Sequence, residues 1–143
     1  MSDNEEIFEN FRQAEINAGL NVEPAKILNP DEVHNFGIDI ILKYAEENGF
    51  EFCDGSRDIN SPFQLVMEKD GVDYIILIKT AAGSSTEILP DNIKVKEAIE
   101  IAQKYDSNIL FAAVGLHCIG YGKTLVRNQP YKVDFHGFKE IKP

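Results

Sequence analysis

The chain has 143 residues, of which 24 are acidic and 14 are basic, giving a formal net charge of −10. Nonspecific affinity for nucleic acid comes mainly from lysine and arginine replacing condensed counterions, so this balance argues against a general nucleic-acid binder. No apolar run approaches the roughly 20 residues that a membrane helix needs. The acidic start, "MSDNEEIFEN", also lacks the regions of a secretory signal. We expect one domain, residues 1–143, in the cytoplasm and without a membrane partner.

Two helices are predicted in the first third of the chain. Residues 3–20 place apolar side chains at helical spacing, which predicts an extra N-terminal helix joined by a linker, residues 1–28 in all. "NPDE" then predicts a helix start, with Asn29 as N-cap, Pro30 at the first helical position and Glu32 reaching back. This helix should end near Gly49. Its predicted buried stripe is Val33, Phe36, Ile40, Ile41 and Tyr44.

The rest of the chain, within a core of residues 29–143, predicts a mixed sheet. "FEFCD", "FQLVMEK" and "DYIILIKT" read as strands, and "KDG" as a tight hairpin turn between the last two. A helix is expected over residues 92–105, followed by "NILFAAVGL" as a strand covered on both faces. Short strands complete the chain, with a hairpin through "RNQP". This order favours one α/β domain with a mixed sheet flanked by helices.

Three familiar kinds of site are poorly supported. "GYGKT" at residues 120–124 lacks the earlier glycine of a phosphate-binding loop and the helix that should follow it, so it is interpreted as a glycine-rich turn. A metal site has no supporting Cys or His spacing, and both cysteines are expected to be buried in strands. A Ser/His/Asp triad has no sequence elbow to support it. The residues weighed for the metal site are Cys53, His117, Cys118 and His136.

Acidic residues crowd around the predicted hairpin, close in sequence to Lys79. Two carboxylates and a lysine on neighbouring strands can hold Mg²⁺ and activate water for phosphodiester cleavage. The alternative is that these acids form the solvated face and turn of the hairpin. Strand alternation places Ile75, Leu77 and Lys79 on one face, and Leu77 cannot ligate a metal. The acids are Asp54, Asp58, Glu68, Asp70 and Asp73.

Two segments, "FGIDIILKYAEENGFEF" and "PFQLVMEKDGVDYIILIKTAAG", resemble the PD-(D/E)xK nuclease superfamily, above all its small resolvase-like and YraN-like members. The resemblance covers roughly residues 36–114 and implies a restriction-endonuclease-like fold. The helix glutamate of those proteins falls at Ile38, the first metal-binding aspartate at Gln64, and the glutamate of Glu-x-Lys at Leu77. The lysine is matched by Lys79 and the following threonine by Thr80.

The resemblance therefore implies a vestigial site, formed by Ile38, Gln64, Leu77 and Lys79, that lacks all three acids. Mg²⁺ needs oxygen ligands, and without the ion there is no activated water. We expect a non-catalytic binding or assembly module without a cofactor, whose partner is another protein or a second copy of the chain. The alternative is a Mg²⁺-dependent DNA nuclease with relocated ligands, in which two or three of Asp54, Asp58, Glu68 and Asp73, with Asp54 and Asp58 foremost, converge with Lys79. A third possibility is a small-molecule pocket beneath "TAAGSSTE".

Overall fold

The computed structural model describes residues 22–142, so the predicted N-terminal helix lies outside the described residues. Two helices and six strands are present in this part of the chain. Short 3₁₀ turns at Pro24–Lys26 and Ser85–Glu87 accompany them. The helices are α1 (Pro30–Glu47) and α2 (Asn92–Tyr105); the strands are β1 (Glu51–Gly55), β2 (Leu65–Lys69), β3 (Val72–Ala82), β4 (Asn108–Cys118), β5 (Tyr131–Asp134) and β6 (Lys139–Ile141).

The six strands form one open mixed sheet in the order β1-β2-β3-β4-β5. β3 and β4 are parallel, with α2 as the crossover between them, and the other pairings are antiparallel. β6 pairs with the first half of β4, on residues 109–111, and β5 pairs with the last four residues of β4. The prediction of an α/β domain with a mixed sheet is confirmed.

Helices cover both faces of the sheet, and each face has its own apolar core. One core joins Ile38, Ile41 and Ala45 of α1 to the even-numbered residues of β3, such as Ile76. The other joins Ala98 of α2 to the odd-numbered residues of the same strand. β4 is buried along most of its length, as expected for a strand covered on both faces. The alternation predicted for β3 is confirmed by this division.

α1 begins as the sequence predicts. Asn29 Oδ1 accepts from the Glu32 backbone N–H at 2.8 Å, and Glu32 Oε1 accepts from the Asn29 N–H at 3.3 Å, which completes a capping box. Arg127 also donates to both carboxylate oxygens of Glu32 at 2.6 Å and to the carbonyl of Ala25 at 2.9 Å. The guanidinium therefore ties the segment before β5 to the helix start. The hydrogen bond from the Arg127 guanidinium is the main cause that lowers the pKa of Glu32.

The buried stripe of α1 lies about one position away from the predicted one. The fully buried residues of the helix are His34, Gly37, Ile38, Ile41 and Ala45. Of the predicted residues, Ile41 is fully buried and the other four are half-buried. The difference has a packing cause, because aromatic side chains from the end of the chain cover the flank of α1. Tyr44 contacts Phe135 and Phe138, with ring centroids 4.9 and 5.4 Å apart.

The turns follow their sequence signals in two places and differ in a third. Asp70 and Gly71 both have positive φ, which gives the predicted two-residue hairpin between β2 and β3. Residues 120–124 form a turn, and no helix follows them. The hairpin predicted through "RNQP" is present in a wider form, because residues 119–130 connect the antiparallel strands β4 and β5 and these four residues are only the end of that connection. Within this connection Arg127 N–H donates to Lys26 O, and Val126 forms a bridge with Ile27.

Between residues 22 and 142, neither helix is long and apolar enough to span a membrane.

Candidate functional site

Three of the four vestigial positions lie inside the fold. Ile38 and Leu77 are core residues with exposed fractions of 2% and 4%, and Gln64 is 3% exposed. Ile38 packs in the core beneath α1, whereas Leu77 packs in the core beneath α2, so the two face opposite sides of the sheet. Only Lys79 is exposed. The side chains at these positions therefore contribute mainly to packing.

Gln64 has a structural hydrogen-bonding role at the start of β2. Its backbone N–H donates to Ile76 O at 3.0 Å, and its side-chain Oε1 accepts from the Ile78 N–H at 2.6 Å. Its Nε2 donates to Ser61 O at 3.2 Å. The side chain thus satisfies a backbone donor of β3 beyond Leu65, the residue where β2 begins. Both polar atoms of this buried amide thus have a protein partner, and its oxygen is already used by the backbone of β3.

Lys79 is directed toward the loop before α2. Its Nζ donates to the carbonyl oxygen of Leu89 at 2.9 Å. Lys79 is exposed and lies opposite Ala113 of β4. The ammonium therefore reaches a neutral acceptor and solvent from the end of a buried strand, as long lysine stems allow.

Most acids of the alternative nuclease site lie far from Lys79. Asp54 is opposite Val66 of β2, and Val66 is opposite Ile75 of β3. Asp54 is therefore two strands away from β3, at the level of a residue four positions before Lys79. At roughly 3.3 Å per residue and 4.8 Å per strand, its Cα is about 16 Å from that of Lys79. Asp73 is six residues before Lys79 on β3, or about 20 Å along it. Within residues 22–142, no three His, Cys, Asp or Glu side chains are grouped to hold a metal ion.

Asp58 is differently placed, in the loop between β1 and β2. Its Oδ1 accepts from the Asn60 N–H at 2.9 Å, and its carbonyl accepts from the Ser61 N–H. Its charge acts on His34 of α1, and the neighbouring Ile59 lines the cavity described next. Glu68 is opposite Asp73 and is therefore equally remote from Lys79. Of the four acids of the nuclease alternative, Asp58 is the one that lies next to the cavity that Lys79 also lines.

A cavity of about 390 Å³ opens beside the last residues of β3. It is bounded by the first turn of α1, the loop between β1 and β2, and the start of α2. Its volume lies at the lower end of the range for small-molecule sites. Its apolar walls include Leu28, Val33, Pro62, Leu77, Phe111 and Leu125; its polar members are His34, Gln64, Lys79, Thr80, Asp91 and Lys94. The cavity borders the "TAAGSSTE" segment only at Thr80 and Ala82.

The open edge of β3 contributes to this cavity. β2 begins at Leu65, opposite Ile76, so among residues 22–142 no strand pairs with β3 on that side after Ile78. Ile76 O and Ile78 N–H both point to the β2 edge, where Gln64 pairs with them. Because backbone polar groups alternate along a strand, those of Thr80 point to the same edge. The wall therefore includes backbone polar groups as well as apolar side chains.

Two lysines line the cavity without a carboxylate partner. Lys94 Nζ donates to Ile59 O at 2.5 Å, while Lys79 Nζ donates to Leu89 O. Neither ammonium is in an ion pair within the described residues. Asp91, which also lines the cavity, accepts from the N–H groups of Ile93 and Lys94 as the N-cap of α2. Its charge therefore lies at the helix start, where the hydrogen bond from the Lys94 N–H is the main cause that lowers the pKa of Asp91. This charge also acts on the ammoniums of Lys94 and Lys79, which contributes to the lowered pKa.

His34 is 7% exposed, and its Nε2 has no hydrogen-bond partner in the described part of the chain. Burial is the main cause that lowers the pKa of this imidazole below its ordinary value of 6.5. The charges of Lys94 and Arg57 act in the same direction, whereas those of Asp31 and Asp58 raise the pKa. His34 is therefore held neutral at the wall of the cavity.

Folding stability should fall as the pH drops below about 6.5, because the folded state disfavours protonation of His34. Because the pKa of His34 is lower in the folded protein than in the unfolded chain, the unfolded chain binds the proton first as the pH falls. The contribution of neutral His34 to the free energy of unfolding is therefore present above pH 6.5 and decreases as the pH falls below that value. Urea denaturation at pH values between 7.5 and 5 should show a smaller loss in His34→Gln than in the parent. Gln103→Ala, which changes an exposed side chain of α2 that does not titrate, is the control and should keep the parent slope. Equal slopes in parent and His34→Gln would contradict the prediction.

Ser, Asp and His side chains do meet elsewhere, but in an order unsuited to nucleophilic catalysis. Asp134 Oδ2 accepts from the Ser85 N–H at 2.7 Å and contacts Ser84 Oγ at 3.3 Å, and its Oδ1 pairs with His136 at 2.9 Å. The Ser85 N–H is the main cause that lowers the pKa of Asp134. The carboxylate thus lies between the serines and the imidazole, whereas a triad needs the imidazole on the hydroxyl.

The cysteines differ from each other in burial. Cys118 is buried at the end of β4, as predicted, but the prediction that Cys53 is buried is wrong. Cys53 lies in β1, which forms one edge of the sheet and is exposed at all five residues. An apolar run on an edge strand does not by itself imply burial.

The sequence interpretation missed most of the cavity. Lys94 carried no signal, because a lysine in the first turn of an amphipathic helix is ordinary. His34 lies one residue after Val33 of the predicted stripe, and the observed rotation of the buried face of α1 places it in the wall. The two prolines that flank the neighbouring loops, Pro62 and Pro90, were the one local sign of fixed backbone near this site.

The sequence profile of the domain of unknown function DUF8840 matches residues 31–141. The chain belongs to the DUF8840 family. The matched region begins at the second residue of α1 and ends with β6, so it contains all six strands, α2 and all of α1 except Pro30. All residues that line the cavity, apart from Leu28 and Pro30, lie within the DUF8840 region. No curated protein matches this DUF8840 chain.

Proposed function

We propose that this DUF8840 chain is a non-catalytic binding or assembly module on a restriction-endonuclease-like scaffold. The observation that carries the proposal is the hydrogen bond from Ile78 N–H to Gln64 Oε1. In the resemblance, Gln64 is the position of a metal-binding aspartate. Here its side chain completes the pairing of β3, and the two other acid positions hold buried aliphatic side chains.

Element order supports the scaffold assignment. α1 is followed by β1, then the β2–β3 hairpin, then α2 and the parallel strand β4. This is the order that the resemblance implies over residues 36–114. Fold alone does not assign chemistry, so we base the lack of catalysis on the residues at the three acid positions, Ile38, Gln64 and Leu77.

Charge and exposed apolar side chains favour a protein as the partner. A net charge of −10 disfavours a phosphate backbone. Large apolar residues are exposed at both ends of α2: Leu89 and Ile93 are 70% and 72% exposed, and Tyr105 is 64% exposed. Such side chains are available to a protein surface, either of a second copy or of another chain. Sedimentation velocity of the purified chain distinguishes a second copy from a different protein as the partner, since a mass of two or more chains indicates self-assembly.

A cleavage assay tests the lack of catalysis. Branched and linear DNA are incubated with the full chain in Mg²⁺ or Mn²⁺, with Lys79→Ala and Lys96→Ala alongside. We expect no cleavage by any of the three proteins above a protein-free control. Cleavage that Lys79→Ala abolishes and Lys96→Ala retains would overturn the proposal. It would favour the alternative, a metal-dependent nuclease with relocated carboxylates such as Asp58.

A further inference from the structure

We propose that the cavity beside the end of β3 binds a small apolar carboxylic acid. This inference does not depend on the proposed function, because a ligand in the cavity is compatible with any partner at the surface. Three features of the cavity point to such a ligand: its enclosure, the charge of its wall, and its unused polar groups.

The enclosure selects a small apolar molecule. The walls are mainly aliphatic and aromatic, and a volume of about 390 Å³ excludes a polymer chain while accommodating a compact ligand. Parts of both cores reach the cavity, since Leu77 and Phe111 belong to one and Leu125 to the other. A ligand body placed here would replace water on apolar surfaces from both sides of the sheet, which favours binding.

The charge of the wall selects an anionic group. Lys79 and Lys94 both line the cavity, and the acceptors that hold them are the neutral carbonyls of Leu89 and Ile59. Among the described residues Asp91 is the single carboxylate of the lining; its charge acts on both lysines, so the lining carries two ammoniums against one carboxylate, whose Oδ1 also accepts from two backbone N–H groups. A carboxylate on the ligand would form charge-assisted hydrogen bonds with the ammoniums, which are about twice as strong as neutral ones.

Unused polar groups mark the same place. His34 is more than nine-tenths buried, lines the cavity and has an Nε2 without a hydrogen-bond partner in the described residues. The backbone N–H and C=O of Thr80 point to the open edge of β3. Gln64 pairs with this edge at Ile78, two residues before Thr80. Buried polar groups are normally paired, so a site that holds an unpaired one is suited to a ligand with hydrogen-bonding atoms. A carboxylic acid supplies both the charge and these atoms.

Titration of the full chain with octanoate, octanol and inorganic phosphate, followed by ¹⁵N–¹H NMR and calorimetry, tests the inference. Octanoate should bind saturably and shift the amide signals of Val33, His34 and Thr80. Octanol should bind at least about tenfold more weakly, which corresponds to roughly 1.4 kcal/mol. Phosphate alone should not bind saturably, since it has no apolar body.

Variants locate the charge. Lys79→Met and Lys94→Met should each weaken octanoate binding by about tenfold and leave octanol binding unchanged. Lys96→Met, on the exposed face of α2, should bind octanoate as the parent does. Dispersed amide spectra verify that each variant is folded. Equal binding of octanoate and octanol, shifts at another surface, or no saturable binding would overturn the inference. None of these results would bear on DNA cleavage, which tests the proposed function separately.

Discussion

Gly37→Ala is expected to destabilise the protein by about 3 kcal/mol, at the upper end of the cost of overpacking a core. A Cβ at this position would lie 1.7 Å from Thr80 Oγ1 and 2.7 Å from Thr80 Cβ. Alanine has the higher helix propensity, by about 1 kcal/mol, so an effect governed by the helix alone would have the opposite sign. Packing should prevail because α1 contacts β3 through this glycine. Chemical denaturation of parent and variant measures the difference.

A second substitution in β3 checks that the contact with Thr80 is the cause. Thr80→Ala in the Gly37→Ala background removes the atom at 1.7 Å but keeps the one at 2.7 Å, so part of the lost stability should return. Lys43→Ala, on the exposed side of the same helix, should change stability by less than about 0.5 kcal/mol. A Gly37→Ala variant as stable as the parent would show that α1 does not approach β3 as closely as described.

Gln64→Ala is expected to cost about 2 kcal/mol of unfolding free energy, because the buried Ile78 N–H loses its acceptor. Gln64→Met keeps much of the side-chain volume without an acceptor and should cost nearly as much. Together the two variants distinguish the hydrogen bond from the packing. Denaturation midpoints and slopes in urea provide the measurement.

The matched control is Gln103→Ala, since Gln103 is exposed on α2. It should leave stability within about 0.5 kcal/mol of the parent. If Gln64→Met were as stable as the parent, the amide would have no structural role. Gln64 could then have a functional role instead, and the proposal of a vestigial site would lose its main support.

The elements with strong local signals were predictable from the sequence. The start of α1 follows from "NPDE", the β2–β3 turn from "KDG", and the bounds of α2 are those expected. Each of these depends on hydrogen bonds or backbone angles within a few residues. The end of the chain was less predictable because β5 and β6 are short and both pair with β4, a choice that only the whole sheet determines.

The candidate site was predictable only in part. Lys79 at the end of a buried strand, and apolar side chains at Ile38 and Leu77, could be inferred from alternation and from the resemblance. The hydrogen bonds of Gln64 could not, because they depend on where β2 begins relative to Ile78. The cavity arises from the meeting of α1, α2 and the loop between β1 and β2, which are far apart in sequence.

The most direct test of the central claim is a Mn²⁺ titration observed by paramagnetic broadening of amide signals. If the positions that carry acids in the resembling nucleases have only structural roles here, no metal ion binds beside them. The signals of Gln64, Leu77 and Lys79 should then keep their intensity at substoichiometric Mn²⁺. Weak broadening near the acidic hairpin residues Glu68 and Asp73 is expected from their charge alone, and it is the internal control. Selective early loss of the signals around Gln64 and Lys79 would contradict the account and indicate a metal site.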